Sequence, residues 1–352
     1  MDIQFIFSEA KRKEASDIHL IVGSPPMLRV AGILMPIEGG QILTDADINT
    51  LIFATISTEQ KEILETNKEI DYSLSTPSGR FRVNAYTQKN SLAASFRLIP
   101  AVIKSIEDLG LPLICNEFVK LRQGLVLVTG PTGHGKSTTI AAMINVINQT
   151  KALHIVTIED PIEFVYSPSL SVVSQRQMHT DTHSWNMALR SVLREDPDVV
   201  LIGEMRDLET IQAALTIVET GHLVFATLHT NSSAQTIDRI VDVFPSNQQS
   251  QIRIQLSSVL EGIISMRLVP ALAVARVPVA EILTATPAIR TLIREGKSHL
   301  IDNVIQTSSE FGMISLEGAL VSSVKAGLIS KDVGASYALK PEEYWRLIKG
   351  TI

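Results

Sequence analysis

Gly130-Pro131-Thr132-Gly133-His134-Gly135-Lys136-Ser137 fits the pattern G-x-x-x-x-G-K-[ST]. The apolar run 125–128 leads into it and a helical pattern over 136–148 leads out, the strand–loop–helix context this pattern needs. Each residue type has a chemical reason to be there. Glycines let the backbone fold so that its N–H groups face a β-phosphate, and the helix N-terminus adds positive potential. Lys136 is expected to reach β- and γ-phosphate oxygens, and Ser137 to ligate Mg²⁺. The cradle for ATP and Mg²⁺ is therefore expected to comprise Gly130, Thr132, Gly133, His134, Gly135, Lys136, Ser137 and Thr138. His134 fills a variable slot whose backbone, rather than side chain, would touch phosphate, so its imidazole is expected at the surface.

Around this loop, apolar runs at 125–128, 154–158, 199–202 and 223–228 alternate with helical patterns at 136–148, 184–194, 207–219 and 234–243. Strands buried on both faces and separated by helices predict a mostly parallel α/β sheet, a P-loop ATPase core. Residues 288–295, 298–306 and 316–326 read as a helical tail. Upstream the pattern changes. Ile3, Ile6, Phe7 and Ala10 share one face of a short helix, and 18–22, 27–30 and 33–37 read as strands. Thr44 is a candidate N-cap with Asp47 in the first turn and Ile48, Leu51 and Ile52 facing inward. Phe81, Val83 and Ala85 alternate with Arg82, Asn84 and Tyr86 in a strand whose hairpin partner is 92–99. The expected organisation is a small α+β domain over 1–100, a proline-flanked linker over 101–112, and an ATPase domain with a C-terminal helical region over 113–352. At roughly 150 residues per domain, 352 residues suit this division.

Two acidic segments stand at predicted strand ends, where α/β sheets bind ligands. Glu159, Asp160 and Glu163 follow the second run, with Pro161 marking a turn; Glu204 follows the third after Gly203. A buried strand delivering an acid is the Walker B arrangement. Glu204 is thus the first candidate for polarising the attacking water and for orienting the Mg²⁺ shell through water, with Glu163 the competing base. His222 and His229 bracket the fourth run; His229, at its C-terminal end, is placed to sense a γ-phosphate, while His222, at the other end, is expected to contact a neighbouring element. His179 and His183 have the i, i+4 spacing of a metal pair, but no third ligand is evident.

Arg80, Arg82 and Arg97 fall on the two strands of the proposed hairpin. An even-length connection puts all three on one face, opposite Phe81 and Val83; an odd one splits them. Such a row is either a solvated face or the completion of a nucleotide site on another subunit. The second reading gains from a phosphate loop with no arginine finger evident in its own domain, since a finger contributes about 10³–10⁵ in rate.

Composition removes several classes. With 45% hydrophobic and 19% charged residues the chain buries a core rather than staying disordered. Its 37 acidic against 31 basic residues and 5% aromatics disfavour a RecA-like nucleic-acid motor, the different-class alternative, so no nucleic-acid partner is expected. Cys115 alone excludes an internal disulfide framework and a four-cysteine zinc site. Residues 1–13 do not read as a signal peptide, and 263–283, the most hydrophobic later stretch, is too interrupted by Arg267, Pro270, Arg276, Pro278 and Glu281 to span a membrane.

The sequence resembles the secretion ATPase superfamily and, within it, the type IV pilus retraction ATPases. Ala15-Ser16-Asp17-Ile18-His19-Leu20 matches the N-terminal motif, 130–137 Walker A, 158–163 the aspartate box, 201–207 the atypical Walker B and 220–232 the histidine box. The resemblance implies a PAS-like N-terminal domain, a RecA-like ATPase domain and a ring homohexamer. It implies a nucleotide lying between the two domains, with Arg82 and Arg97 matching the family's contributing arginines. It further implies a cytoplasmic protein, peripheral at the inner membrane, acting on an inner-membrane pilus platform protein, with a paralogous retraction ATPase as a further partner. Extension and secretion ATPases of the superfamily are longer and carry a four-cysteine motif, which this chain lacks. Residues 288–295 resemble a helix linked to retraction, with Thr291 where asparagine is usual. An accessory retraction paralogue, or another ATPase of the secretion superfamily, is the alternative within the family.

Overall fold

A computed structural model describes residues 2–30, 32–99 and 102–350. Contacts divide the chain into two compact units, 1–102 with 161–165, and 103–160 with 166–352. Residues 100 and 101, where the sequence reading joins small domain to linker, lie outside the described residues. Ile106 and Leu111, inside the expected linker, are buried in the core of the second unit.

The first unit is built on alternation. Six strands, β1 (Asp17–Leu20), β2 (Met27–Val30), β3 (Ile33–Pro36), β4 (Glu69–Thr76), β5 (Gly79–Gln88) and β6 (Ser91–Ile99), form one sheet in the order β3-β2-β1-β6-β5-β4. Phe81, Val83 and Ala85 are fully buried on one face, and Phe7 of the helix Ile3–Arg12 stacks on Phe81 at 4.6 Å and meets Phe96 edge-on at 5.5 Å. Two residues, Lys89 and Asn90, connect β5 to β6, both at positive φ (48° and 64°), as a tight type I′ hairpin requires. The even connection pairs Arg82 with Arg97 and Arg80 with Ile99, so the three arginines share the face opposite Phe81. The helix Asp45–Phe53 starts at Thr44 with a complete capping box to Asp47. Two elements escape the sequence reading. The helix Thr58–Asn67 buries only Leu64 and so carries no apolar stripe; a Ser57/Gln60 capping box starts it and Lys68, at φ 67°, ends it. In β4, Tyr72 is the buried residue, which leaves no alternation to recognise.

The second unit carries a seven-stranded sheet: β7 (Gly124–Thr129), β8 (His154–Glu159), β9 (Val172–Gln177), β10 (Val199–Ile202), β11 (Leu223–Leu228), β12 (Leu260–Pro270) and β13 (Arg276–Thr284). Its order is β13-β12-β7-β11-β10-β8-β9. β7, β10 and β11 are buried at every position, which is why they read as continuous apolar runs. The α/β expectation is met. The sheet is more mixed than predicted, because 263–283 is a long antiparallel hairpin of β12 and β13 beside the parallel strands. The charges that interrupt this stretch serve the fold: Arg267 and Glu281 are both buried, and a Glu281 carboxylate oxygen accepts the Ser233 amide at 2.7 Å in the first turn of the helix Ser233–Asp242. The helix Ser246–Val259, unread in the sequence, faces the core through Ile252, Leu256 and Val259. The tail follows with helices Pro287–Arg294, Ile301–Thr307, Leu316–Lys325, Lys331–Tyr337 and Pro341–Lys349, the last anchored by fully buried Tyr344. Among the described residues no helix is long and apolar enough to cross a membrane.

Candidate active site

At the end of β7 the backbone leaves the sheet through Gly130 at φ +135°, so close to β12 that a Cβ there would lie 2.5 Å from the Met266 carbonyl oxygen. Glycine is the residue this crossing admits. Gly133 (φ +78°) has open space where a side chain would stand, and Gly135 (φ +89°) is the N-cap of the helix Lys136–Thr150, with no side chain to cap it. First-turn amides of a helix lack intrahelical acceptors, so an uncapped start behind an open glycine cradle fits a phosphate chain. Lys136 is buried, and its Nζ donates to the carbonyls of Gly130 (2.8 Å) and Pro131 (3.1 Å). Ser137 and Thr138 follow, half-buried, on the first turn. The donor set, one ammonium, a hydroxyl and a helix start, suits Mg²⁺ nucleotide.

Glu204 comes from the neighbouring strand but one. Gly203 fits tightly beside β8, where a Cβ would lie 3.2 Å from the Glu159 Cα, and its carbonyl accepts the Thr227 hydroxyl at 2.5 Å. The Met205 amide donates to the Thr227 carbonyl at 3.0 Å, so Glu204 is held from both sides. One of its carboxylate oxygens lies 3.1 Å from His229 Nε2 and the other 2.7 Å from Arg206 Nη2. The other imidazole nitrogen, Nδ1, lies 3.4 Å from Lys136 Nζ and 3.3 Å from the Thr132 hydroxyl. An ammonium can only donate, so Nδ1 accepts and Nε2 carries the hydrogen offered to Glu204. Lys136, His229 and Glu204 therefore form one polar chain from the phosphate cradle to the strand-end acid. Burial alone would raise the Glu204 carboxyl, but the Arg206 hydrogen bond and charge, with the hydrogen bond from His229, outweigh it and hold the group below its ordinary value, as a carboxylate.

The family model for type II/IV secretion system proteins matches residues 1–300. The chain belongs to this family. It is similar to the type IV pilus retraction ATPase PilT of Pseudomonas aeruginosa, 46% identical over 98% of this chain and 100% of that protein. It is 34% identical to the type IV pilus ATPase PilU of the same organism, over 99% of this chain and 92% of the relative. A crystal structure of the pilus retraction motor PilT with bound ADP superposes with a TM-score of 0.92 at 45% identity, covering 98% of this chain and 99% of that one.

In this member of the secretion family, other residues singled out in the sequence take different places. Glu159, the last residue of β8, is buried and bonded within the sheet, accepting from the Thr157 hydroxyl at 2.7 Å and from Gln175 at 3.4 Å. Asp160 is exposed and adds to the field on Arg206. Glu163 belongs to the 161–165 segment that groups with the first unit. His222 is bonded locally: its Nδ1 lies 2.9 Å from the Ile217 carbonyl and 3.0 Å from the Thr220 hydroxyl, at the end of the helix Leu208–Glu219. His179 sits in a turn at φ 66°, and among the described residues no group of three or more His, Cys, Asp or Glu is arranged to hold a metal ion. The His134 side chain is not a free surface group; its Nδ1 accepts the Leu268 amide at 3.1 Å.

Arg82 and Arg97 lie in the first unit. They are direct cross-strand partners, a like-charge pairing that costs stability unless an anion or acid offsets it. Asp17 does so in part, its carboxylate 2.9 Å from Arg97 Nε and 3.8 Å from Arg29 Nε. The sequence reading missed Arg206, Asn231 and Arg267. Arg206, two residues past Glu204, is within reach of a local reading; Arg267 reads in the sequence only as an interruption of an apolar stretch.

Proposed function

We propose that this chain is an ATP-hydrolysing motor for type IV pilus retraction, working in the cytoplasm as a ring hexamer against an inner-membrane platform protein. Near-complete alignment with PilT supports it, as does the higher identity to PilT than to PilU, the accessory reading. The observation that carries the chemistry is the Lys136–His229–Glu204 chain.

With ATP bound, Lys136 gives up the Gly130 and Pro131 carbonyls for β- and γ-phosphate oxygens. The amides of Gly133, His134, Gly135, Lys136, Ser137 and Thr138 surround the phosphates, with Gly130 and Thr132 shaping the loop. Ser137 and, through water, Glu204 would hold Mg²⁺, which offsets phosphate charge. Glu204, ionised, takes a proton from the water attacking the γ-phosphorus while Glu163 assists; the bond from that phosphorus to the β–γ bridging oxygen breaks and its electron pair leaves with ADP. His229 senses the γ-phosphate through its Nε2 hydrogen, which can turn from Glu204 to a phosphate oxygen and so couple the phosphate to the acid. Arg82 and Arg97 of a small domain offset charge developing on the phosphate.

ATP turnover per subunit, measured against protein concentration with Mg²⁺ and no nucleic acid, tests this reading. Turnover should rise steeply as rings form, with sizing at the lowest concentration showing smaller species. Absence of turnover in assembled rings would overturn it.

A further inference from the structure

Leu268 lies on β12 beyond its last pairing with β7, a ladder that ends at Ser265 opposite Thr129. On the other edge it stands opposite Pro278, a pair that cannot exchange both ladder hydrogen bonds, and the Leu268 amide points away from β13 toward the P-loop. A strand amide whose neighbouring strand has turned away needs an acceptor. His134 supplies one, Nδ1 accepting the Leu268 amide at 3.1 Å, and the Leu268 side chain packs where a Cβ on Gly135 would stand, 3.6 Å away. One residue earlier, buried Arg267 donates to the Met266 carbonyl (2.8 Å) and to the Asn231 carbonyl and amide oxygens (3.0 and 3.1 Å). Asn231 is two residues past His229, which reaches back to Lys136 and Thr132. The P-loop, β12 and the loop after β11 thus close a circuit of hydrogen bonds, and His134 is its link from P-loop to β12.

We infer that His134 is a positioning residue: its imidazole clasps the P-loop to β12 and thereby strengthens the loop's hold on a nucleoside diphosphate. The inference rests on the nucleotide reading of this loop. Accepting through Nδ1 requires that this nitrogen carry no proton. Burial first, then the facing charges of Arg267, Lys136 and Arg276, push the imidazole below its ordinary value and favour that state. Without the clasp, a loop with glycines on both sides of residue 134 samples more conformations, and ordering it on binding costs more. A single neutral hydrogen bond of this kind corresponds to roughly a three- to tenfold change in affinity.

The test compares wild type, His134→Ala and His134→Asn as full-length protein. Asparagine carries an acceptor oxygen at the same bond distance from the backbone as Nδ1. Without nucleotide, amide exchange in a peptide carrying Leu268 should be faster in His134→Ala and near wild type in His134→Asn. The dissociation constant for ADP should rise roughly three- to tenfold in His134→Ala and be largely recovered in His134→Asn. Equal exchange in all three proteins, or weakened binding that asparagine does not recover, overturns the clasp. Failure of wild type to bind ADP would instead overturn the nucleotide reading, and the exchange result would still decide the clasp.

Discussion

Glu204→Gln is expected to slow steady-state ATP hydrolysis by roughly 10²–10⁴, the range that a positioned general base contributes, while ADP binding and ring assembly persist. Glutamine matches the shape of the side chain and keeps an oxygen for the His229 Nε2 hydrogen, so the loop between Gly203 and Met205 is preserved. It loses the Arg206 ion pair, but that guanidinium is 69% exposed, and an exposed pair contributes little to stability. What disappears is the ability to take a proton. Because the Glu204 carboxyl is held below its ordinary value of 4.5, the midpoint for loss of the base form lies below that pH. An acid limb in wild-type turnover centred well above that pH must come from another group. Glu163→Gln should cost less. Unchanged turnover in Glu204→Gln would move the base elsewhere, with Glu163 the first candidate.

The second large effect belongs to the small domain. Arg97→Ala is expected to lower turnover on the order of 10³, the scale of an arginine acting on a phosphoryl transition state. Arg97 can be redeployed cheaply: its side chain is 72% exposed, so its pair with Asp17 holds it weakly. Its direct partner Arg82 makes the open face a better host for an anion than for water alone. If these arginines act on a neighbour's nucleotide, inactive Glu204→Gln and inactive Arg97→Ala subunits should regain turnover when mixed, because some interfaces combine an intact acid with an intact arginine. Mixed rings that stay inactive would confine each arginine to its own subunit's site.

How much of this was legible in the sequence follows from where each signal resides. The strands β7, β10 and β11 are apolar throughout because they are buried on both faces, so their runs and the loops after them could be read directly. The arginine row reduced to the parity of one connection, settled by Lys89 and Asn90. β12 and β13 were opaque for a physical reason: Arg267 and Glu281 are buried charges with partners distant in sequence, Asn231 and Ser233, so local pattern reads them as interruptions. The same distance hid His134, whose partner lies on another strand, whereas Glu204 and His229 stood out because both follow buried strands.

The most direct test of a retraction motor is pilus retraction itself in cells lacking their own retraction ATPase. Expression of this chain should restore retraction and surface motility, and expression of Glu204→Gln at equal level should not. Restoration only when the cells' own retraction ATPase is also present, or equal restoration by both proteins, would contradict an ATP-driven retraction motor built on this site.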